Sequence, residues 1–353
     1  MNFSADFFEG LEQHFNRQLP FVTYRKPNAL EIKAILQKDN KLHLVTDYSE
    51  SGFVFAPFDD RKDAILIPFD NSETIYCNTF RPSIVITPQH KEEDYRKNEA
   101  FHMNLVEQAI EFINDGKLKK VVVSRSEFVK LSETNPIKLF KHLLQSYRTA
   151  FVYCWYHPKI GLWLGATPET LLNVKGNRFE TMALAGTQLY TGTLEVDWKN
   201  KEKDEQQFVT DFIVNSLKPL VDSLKVSDVE TLKAGNILHL LTRISGTIED
   251  NKFNFKNFIK GLHPTPAICG IPREVAKQFI LENENYDREF YTGFLGELNI
   301  KNSSKLFVNL RCMQLKNKEA IIYVGGGITK DSIPEKEWLE TVNKTNTIKK
   351  VLL

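Results

Sequence analysis

Phe3, Phe7, Leu11 and Phe15 recur every fourth residue, so one helical face at the start of the chain is apolar. Short runs at residues 42–46, 53–58 and 64–69 then have the length and composition of strands. A helical pattern spans residues 92–114 through Phe101, Leu105, Ala109, Phe112 and Ile113, and Gly116 is placed to end it. Residues 119–129 are rich in β-branched side chains and predict a strand. Pro136 opens a predicted helix over 136–147. Residues 151–156 and 161–165 predict a hairpin turning at 158–161, with a further strand at 179–184. The charged, amphipathic stretch 199–221 predicts a long helix, and 237–248 a strand. After Gly261 comes a proline-rich loop, then a helix over 273–282. Three strands follow at 294–300, 306–315 and 320–324, and Pro334 opens a last helix reaching residue 351. Strands in consecutive runs, with helices between the runs, predict an α+β sandwich rather than a βαβ wheel.

At 353 residues, with 42% apolar content, the chain can bury a sizeable core, and either two domains or one large two-lobed domain is open. No linker or repeat marks a boundary; residues 1–91 read as scaffold and 92–353 as the part that carries chemistry. The 46 basic and 45 acidic residues leave a net charge of +1, which gives no electrostatic case for a nucleic-acid or membrane partner. No apolar run approaches the roughly 18 residues needed to cross a bilayer, and the first residues lack a basic signal-peptide n-region. Cys77, Cys154, Cys269 and Cys312 form no C-x-x-C pair, so free thiols in a reducing, cytoplasmic setting are expected.

Several patterns could carry chemistry. Glu202 and Glu205 lie three apart on one predicted helix, and Glu337 and Glu340 three apart on another. Two such faces turned towards each other would make a pocket of oxygen ligands suited to Mg²⁺; turned outwards they are solvated surface. On the strand 119–127, Lys120, Val122, Ser124 and Ser126 share one face, and Lys119, Val121, Val123, Arg125 and Glu127 the other. Only one of the two lysines can therefore enter a given cavity. Phe307, Asn309, Arg311 and Met313 are expected on one face of their strand, and an arginine among apolar neighbours wants a planar anion, from protein or substrate. Three loops, at 185–187, 262–267 and 325–329, could bring backbone N–H groups to a ligand. None has the spacing of a nucleotide-binding loop. Thr167 and Pro168 could be N-cap and N1 of a short helix carrying Glu169 in its first turn. His239 and His263 each stand alone and are as well read as core residues.

The ordered set of these segments resembles the chorismate-utilising enzymes over residues 92–353, about three quarters of the chain. It comprises Lys-Val-Val-Val-Ser-Arg at 120–125, Gly-Ala-Thr-Pro-Glu at 165–169, Ala-Leu-Ala-Gly-Thr at 183–187 and the Glu202/Glu205 helix. Leu-His-Pro-Thr-Pro-Ala at 262–267, Tyr-Thr-Gly at 291–293, Arg311, Gly325–Gly327 and a final run through Asp331, Glu337, Glu340 and Lys344 complete it. The resemblance implies that family's α+β fold, large antiparallel sheets packed as a sandwich with helices outside. It implies chorismate as substrate and Mg²⁺ as cofactor, held by Glu205 and Glu340 with Glu202 and Glu337 acting through water. It also implies that Arg311 takes the enolpyruvyl carboxylate with backbone help from Gly325 and Gly326. Gly186, Thr187, His239, Ala267, Tyr291 and Lys344 are implied to line the same pocket.

Within the family, Lys120 stands where members that add water to the ring carry their general base. Ala185 stands where the aminodeoxychorismate-forming type carries a nucleophilic lysine. The implied reaction is therefore chorismate to isochorismate, with Lys120 as base and Glu169 as acid, feeding menaquinone or siderophore biosynthesis. A salicylate-forming relative, which adds pyruvate elimination, is the alternative; a non-catalytic chorismate- or carboxylate-binding protein is the alternative of another class. Gln188 departs from the arginine many relatives carry, and residues before 92 match no family motif. A monomer is expected.

Overall fold

The computed structural model describes residues 4–80, 98–234, 237–248 and 254–352. The chain begins with α1 (Ser4–Asn16) and six strands, β1 (Phe21–Arg25), β2 (Ile32–Gln37), β3 (His43–Leu44), β4 (Gly52–Ala56), β5 (Ile65–Pro68) and β6 (Ser72–Cys77). Then come α2 (Glu99–Asn114), β7 (Lys120–Lys130), α3 (Pro136–Ser146), β8 (Phe151–His157), β9 (Gly161–Thr167), β10 (Thr170–Lys175) and β11 (Arg178–Leu189). The middle holds α4 (Asn200–Leu217), β12 (Ser223–Val226), β13 (Glu230–Ala234), β14 (Ile237–Thr247), α5 (Phe255–Leu262), β15 (Gly270–Ile271) and α6 (Arg273–Asn283). The chain ends with β16 (Phe294–Leu298), β17 (Ser303–Val308), β18 (Cys312–Lys316), β19 (Glu319–Ile328) and α7 (Pro334–Lys349).

The strands form two antiparallel sheets. One has nine strands in the order β15-β7-β19-β18-β9-β8-β1-β2-β6. The other has ten, in the order β12-β14-β11-β10-β17-β16-β4-β5-β3, with β13 paired to β14. Between the sheets lies an aromatic core. Phe151 of β8 stacks on Phe307 of β17 with ring centroids 4.1 Å apart, and Phe55 of β4 stacks on Phe290 at 4.2 Å. The outer face of the nine-stranded sheet packs on α1 and α3 through Phe7, Leu11, Phe140 and Leu143. The outer face of the other packs on α4 and α5 through Val209, Ile213 and Phe258. This is the α+β sandwich that the strand runs predict, with the outer helices that the resemblance implies. Among the described residues no helix is long and apolar enough to cross a membrane.

Among the strands that escape the sequence pattern, which also include β10, β12, β13 and β15, are β1, β2 and β6. β1 and β2 are buried throughout, because the aromatic core covers one face and helices the other. Two-sided burial removes the alternation that marks a strand. β6 is half-exposed and offers only one apolar residue before Tyr76 and Cys77.

Local signals place the helix ends well. Asn135 caps α3, its side chain accepting from the backbone N–H groups of Ile137 and Lys138. Gly116, at φ +74, ends α2, and Lys117 N–H returns to the carbonyl of Phe112. The helix expected over 199–221 stops at Leu217, where Pro219 follows in a short 3₁₀ turn. Phe3 and residues 92–97 of the expected helices lie outside the described residues.

Five expectations are corrected. Residues 306–315 are not one strand: β17 belongs to the ten-stranded sheet and β18 to the nine-stranded sheet, and the chain crosses at Asn309, Leu310 and Arg311. Arg311 is left-handed at φ +49, which breaks the alternation, so it does not share a face with Phe307 and Met313. Gly325, Gly326 and Gly327 lie within β19, paired to β7, rather than in a loop. Ala185 and Gly186 belong to β11, where the pairing to β14 shifts between Ala185 and Gln188 and Gly186 takes φ +69. Glu169 is not in a helix but in the link between β9 and β10. There its backbone N–H donates to Thr167 Oγ1 at 3.3 Å, and its carbonyl accepts from Val308 N–H.

Candidate active site

Alternation along β7 sends Val121 and Val123 into an apolar cluster with α2 and α6. It sends Lys120 and Val122 the opposite way. Lys120 is fully buried, and its Nζ lies 2.8 Å from Glu205 Oε1 on α4. Beyond this pair opens a cavity of about 140 Å³ bounded by α4, α7, β7, β11, β14, β19 and the links at 168–169, 267–268, 291–292 and 310–311.

The structure gathers the residues singled out from the sequence. Glu169, Gly186, Thr187, His239 and Ala267 line the cavity from one set of elements, and Tyr291, Arg311, Gly325, Gly326 and Lys344 from another. Glu202, Glu205 and Glu340 line it as well. Lys120 and Glu337 stand one layer back, each reached through a partner on the wall: Glu205 for Lys120 and Lys201 for Glu337.

The glycines of β19 make the cavity wall thin. A Cβ on Gly327 would collide with Glu205 Oε1 and lie 3.0 Å from Lys120 Cε. One on Gly325 would come within 3.1 Å of the Tyr291 hydroxyl. One on Gly326 would face Glu337 and Glu340 at 3.7 and 3.8 Å. The helix carboxylates can therefore approach the strand carrying no side chains, and so approach Lys120.

Charges in the site are paired with one exception on each side. Lys201 Nζ meets Glu337 Oε1 at 2.6 Å, and Lys344 Nζ meets Glu340 Oε1 at 2.7 Å and donates to the Gly325 carbonyl. Burial alone would push the Glu205 carboxyl up; Lys120, with Lys201 and Lys344, outweighs it and holds Glu205 below the ordinary range. Burial raises Glu337, and Lys201 only partly opposes that. Glu202 Oε2 is buried with no hydrogen-bond partner among the described residues. Arg311 has no carboxylate partner among them; its Nη2 faces His239 Nε2 at 3.4 Å. His239 Nδ1 lies 2.9 Å from the Gly186 carbonyl and must donate to it, so Nε2 is the bare nitrogen turned to Arg311. Burial and the neighbouring Arg311 push His239 down to about 3, leaving it neutral.

Glu169 is the outlier. Its carboxyl is buried, which raises it from 4.5 to about 8 against the pull of Lys120. A carboxyl that is still protonated at neutral pH can donate a proton in a cavity that also holds a guanidinium with no carboxylate partner among the described residues.

The four glutamates of α4 and α7 fit a hard divalent cation by donor chemistry. They are all oxygen donors, one of them has an orphaned buried oxygen, and glycine backbone leaves room against them. As placed, three of them hold lysine ammonium groups, and among the described residues no three ligating side chains are arranged as a metal set.

Lys201, Ile268, Thr292 and Leu310, which the sequence did not place in the pocket, also line the cavity. Lys201 was within reach, because it precedes Glu205 by four residues and so shares its helical face. Thr292 lies within the Tyr-Thr-Gly motif, while Ile268 and Leu310 carry no local signal.

The family model described as chorismate binding enzyme matches residues 69–353. The chain is 30% identical over 282 residues to isochorismate synthase DhbC of Bacillus subtilis, covering 74% of this chain and 68% of that protein. It is 28% identical over 323 residues to isochorismate synthase MenF of Haemophilus influenzae, covering 88% of this chain and 72% of the relative. In three dimensions it is similar to the menaquinone-specific isochorismate synthase MenF of Escherichia coli. There the TM-score is 0.78 at 21% identity, over 95% of this chain and 89% of that one. At that identity the likeness speaks for the fold.

Proposed function

Since this chain belongs to the chorismate-binding enzyme family, we propose that it is an isochorismate synthase, converting chorismate to isochorismate with Mg²⁺. The observation that carries the reading is Glu169, a buried carboxyl protonated up to about pH 8, set in one cavity with unpaired Arg311 and backed by Lys120. The names of the sequence relatives support the same reaction.

Chorismate carries two carboxylates. Arg311, which has no carboxylate partner among the described residues, takes the one on the enolpyruvyl arm, with N–H groups of the β19 glycines beside it. Neutral His239 holds the guanidinium from its bare Nε2 without competing for the anion. Glu205 and Glu340 would hold Mg²⁺, with Glu202 and Glu337 behind them. When bound, the ion neutralises the ring carboxylate and fixes its orientation. Lys120 takes a proton from a water, and that water's oxygen bonds to ring carbon 2. The double bonds shift, and the hydroxyl on carbon 4 leaves as water with the proton of Glu169. One water enters and one departs, so the change is an isomerisation. Ala185 lines the cavity where a covalent aminating mechanism would need a lysine.

Residues 1–91 we assign to scaffold and 92–353 to catalysis. The four cysteines are buried and free, which supports a reducing, cytoplasmic setting.

The test is product analysis on chorismate with Mg²⁺. Isochorismate alone is the expected product. Salicylate with pyruvate would move the protein to the salicylate-forming branch, and anthranilate on addition of excess ammonium would move it to the aminating branch.

A further inference from the structure

Arg288 does not line the cavity, yet its buried side chain hydrogen-bonds three residues that do, Val122, Ile268 and Thr292. Nη2 donates to the carbonyl of Val122 at 2.7 Å. Nη1 donates to the carbonyl of Ile268 at 3.0 Å and to Thr292 Oγ1 at 3.2 Å. Val122 is two residues from Lys120; Ile268 follows Ala267; Thr292 follows Tyr291. The other edge of the guanidinium grips Glu284, Nε to Oε2 at 2.8 Å and Nη2 to Oε1 at 2.6 Å. Glu284 Oε1 in turn accepts from the backbone N–H and the hydroxyl of Ser124, each at 2.7 Å.

These contacts follow from a gap in the sheet. β15 pairs with β7 only at Val121 and Lys120. Val122 N–H still reaches the Cys269 carbonyl, but Cys269 N–H turns away to the carbonyl of Thr265. The Val122 carbonyl and the Ser124 N–H, next along the same edge, thus lose a strand partner. A buried backbone group cannot stay unpaired without a penalty comparable to a lost hydrogen bond. Arg288 and Glu284 supply one partner each and so act as a substitute strand along the edge of β7. A lysine could keep the charge but not the planar fork.

We propose that Arg288 is a positioning residue of the active site. It locks the strand of Lys120, the loop of Ala267 and the turn of Tyr291 in one arrangement, and catalysis depends on that arrangement beyond its effect on folding. The proposal rests on the isochorismate synthase reading. Displacing a reacting group by about 1 Å is enough to lower a rate by about 10²-fold.

The test uses Arg288→Lys, which keeps a cation opposite Glu284. Sites are counted by the stoichiometry of chorismate binding, so that kcat is expressed per folded site. The expected result is a fall in kcat of about 10²-fold with KM for chorismate within about threefold. Arg288→Ala, weak by itself, should regain activity with millimolar guanidinium chloride and not with sodium chloride. Unchanged kcat per folded site in Arg288→Lys overturns the positioning role. If that variant does not fold, Ser124→Ala decides: removing one leg of the clamp should lower kcat while the melting temperature holds, and an unchanged kcat overturns the role. Absence of wild-type turnover would overturn the functional reading and this proposal with it; wild-type turnover with a normal variant kcat overturns this proposal alone.

Discussion

Lys120 Nζ and Glu205 Oε1 stand 2.8 Å apart, an ion pair joining β7 to α4 with the lysine wholly out of solvent. The pair links the proposed base to one of the proposed metal carboxylates. Removing either partner leaves a buried charge without its counter-ion, which is among the costlier changes a protein can suffer. The chemistry of each residue therefore has to be tested with a measure of folding beside it.

Lys120→Ala and Glu169→Ala should each lower kcat by at least about 10²-fold, the usual contribution of a general acid or base. Chorismate affinity should stay within a few-fold, because proton transfer serves the transition state more than ground-state binding. Steady-state kinetics with calorimetric binding checks both, and near-normal turnover in either variant removes that residue from its role.

Activity should disappear on chelation and return with Mg²⁺. Glu205→Ala or Glu340→Ala should raise the Mg²⁺ concentration needed for half-maximal rate by at least about tenfold, and Glu337→Ala by less, since outer partners weaken metal binding more mildly. Titrating Mg²⁺ against rate, and against heat of binding, measures this. Full activity in EDTA would rule the metal out.

Glu169 has its proton held by burial, so kcat/KM should fall as pH rises through about 8, where the free enzyme loses that proton. The same shift bears on stability. Between about 4.5 and 8 the folded protein retains a proton that the unfolded chain releases, so stability falls with rising pH across that window and levels off above it. Denaturant midpoints of the wild type, taken relative to Glu169→Gln, should decline over the same range. A flat difference would show that Glu169 ionises normally.

Gly327→Ala should damage the site while sparing the fold. The new methyl would collide with Glu205 Oε1 and crowd Lys120 Cε, both side-chain atoms of the proposed machinery. Overpacking of this kind costs about 1–3 kcal/mol. We expect turnover to drop by at least about tenfold with the circular dichroism spectrum unchanged. Wild-type turnover would mean that the Lys120–Glu205 pair can shift at no expense to catalysis.

The sequence by itself determined which residues are candidates for the chemistry and much of the local structure. Period-two alternation put Lys120 on the opposite face of its strand from Val121 and Val123, and helical spacing put Glu202 with Glu205 and Glu337 with Glu340. These relations survive in the structure because each depends only on neighbours along the chain. Tertiary structure alone decided the rest. Whether residues 306–315 made one strand or two depended on a crossing between sheets at left-handed Arg311, which no period of hydrophobicity records. The glycines at 325–327 read as a loop because a strand without side chains has no pattern; pairing with β7 made them a wall against which carboxylates could pack. The protonation of Glu169 came from burial by segments distant in the sequence. Arg288 was silent for the same reason. Its partners, Val122 and Ile268, are brought together by pairing across long chain separations, and a backbone carbonyl left without a strand leaves no mark in the sequence.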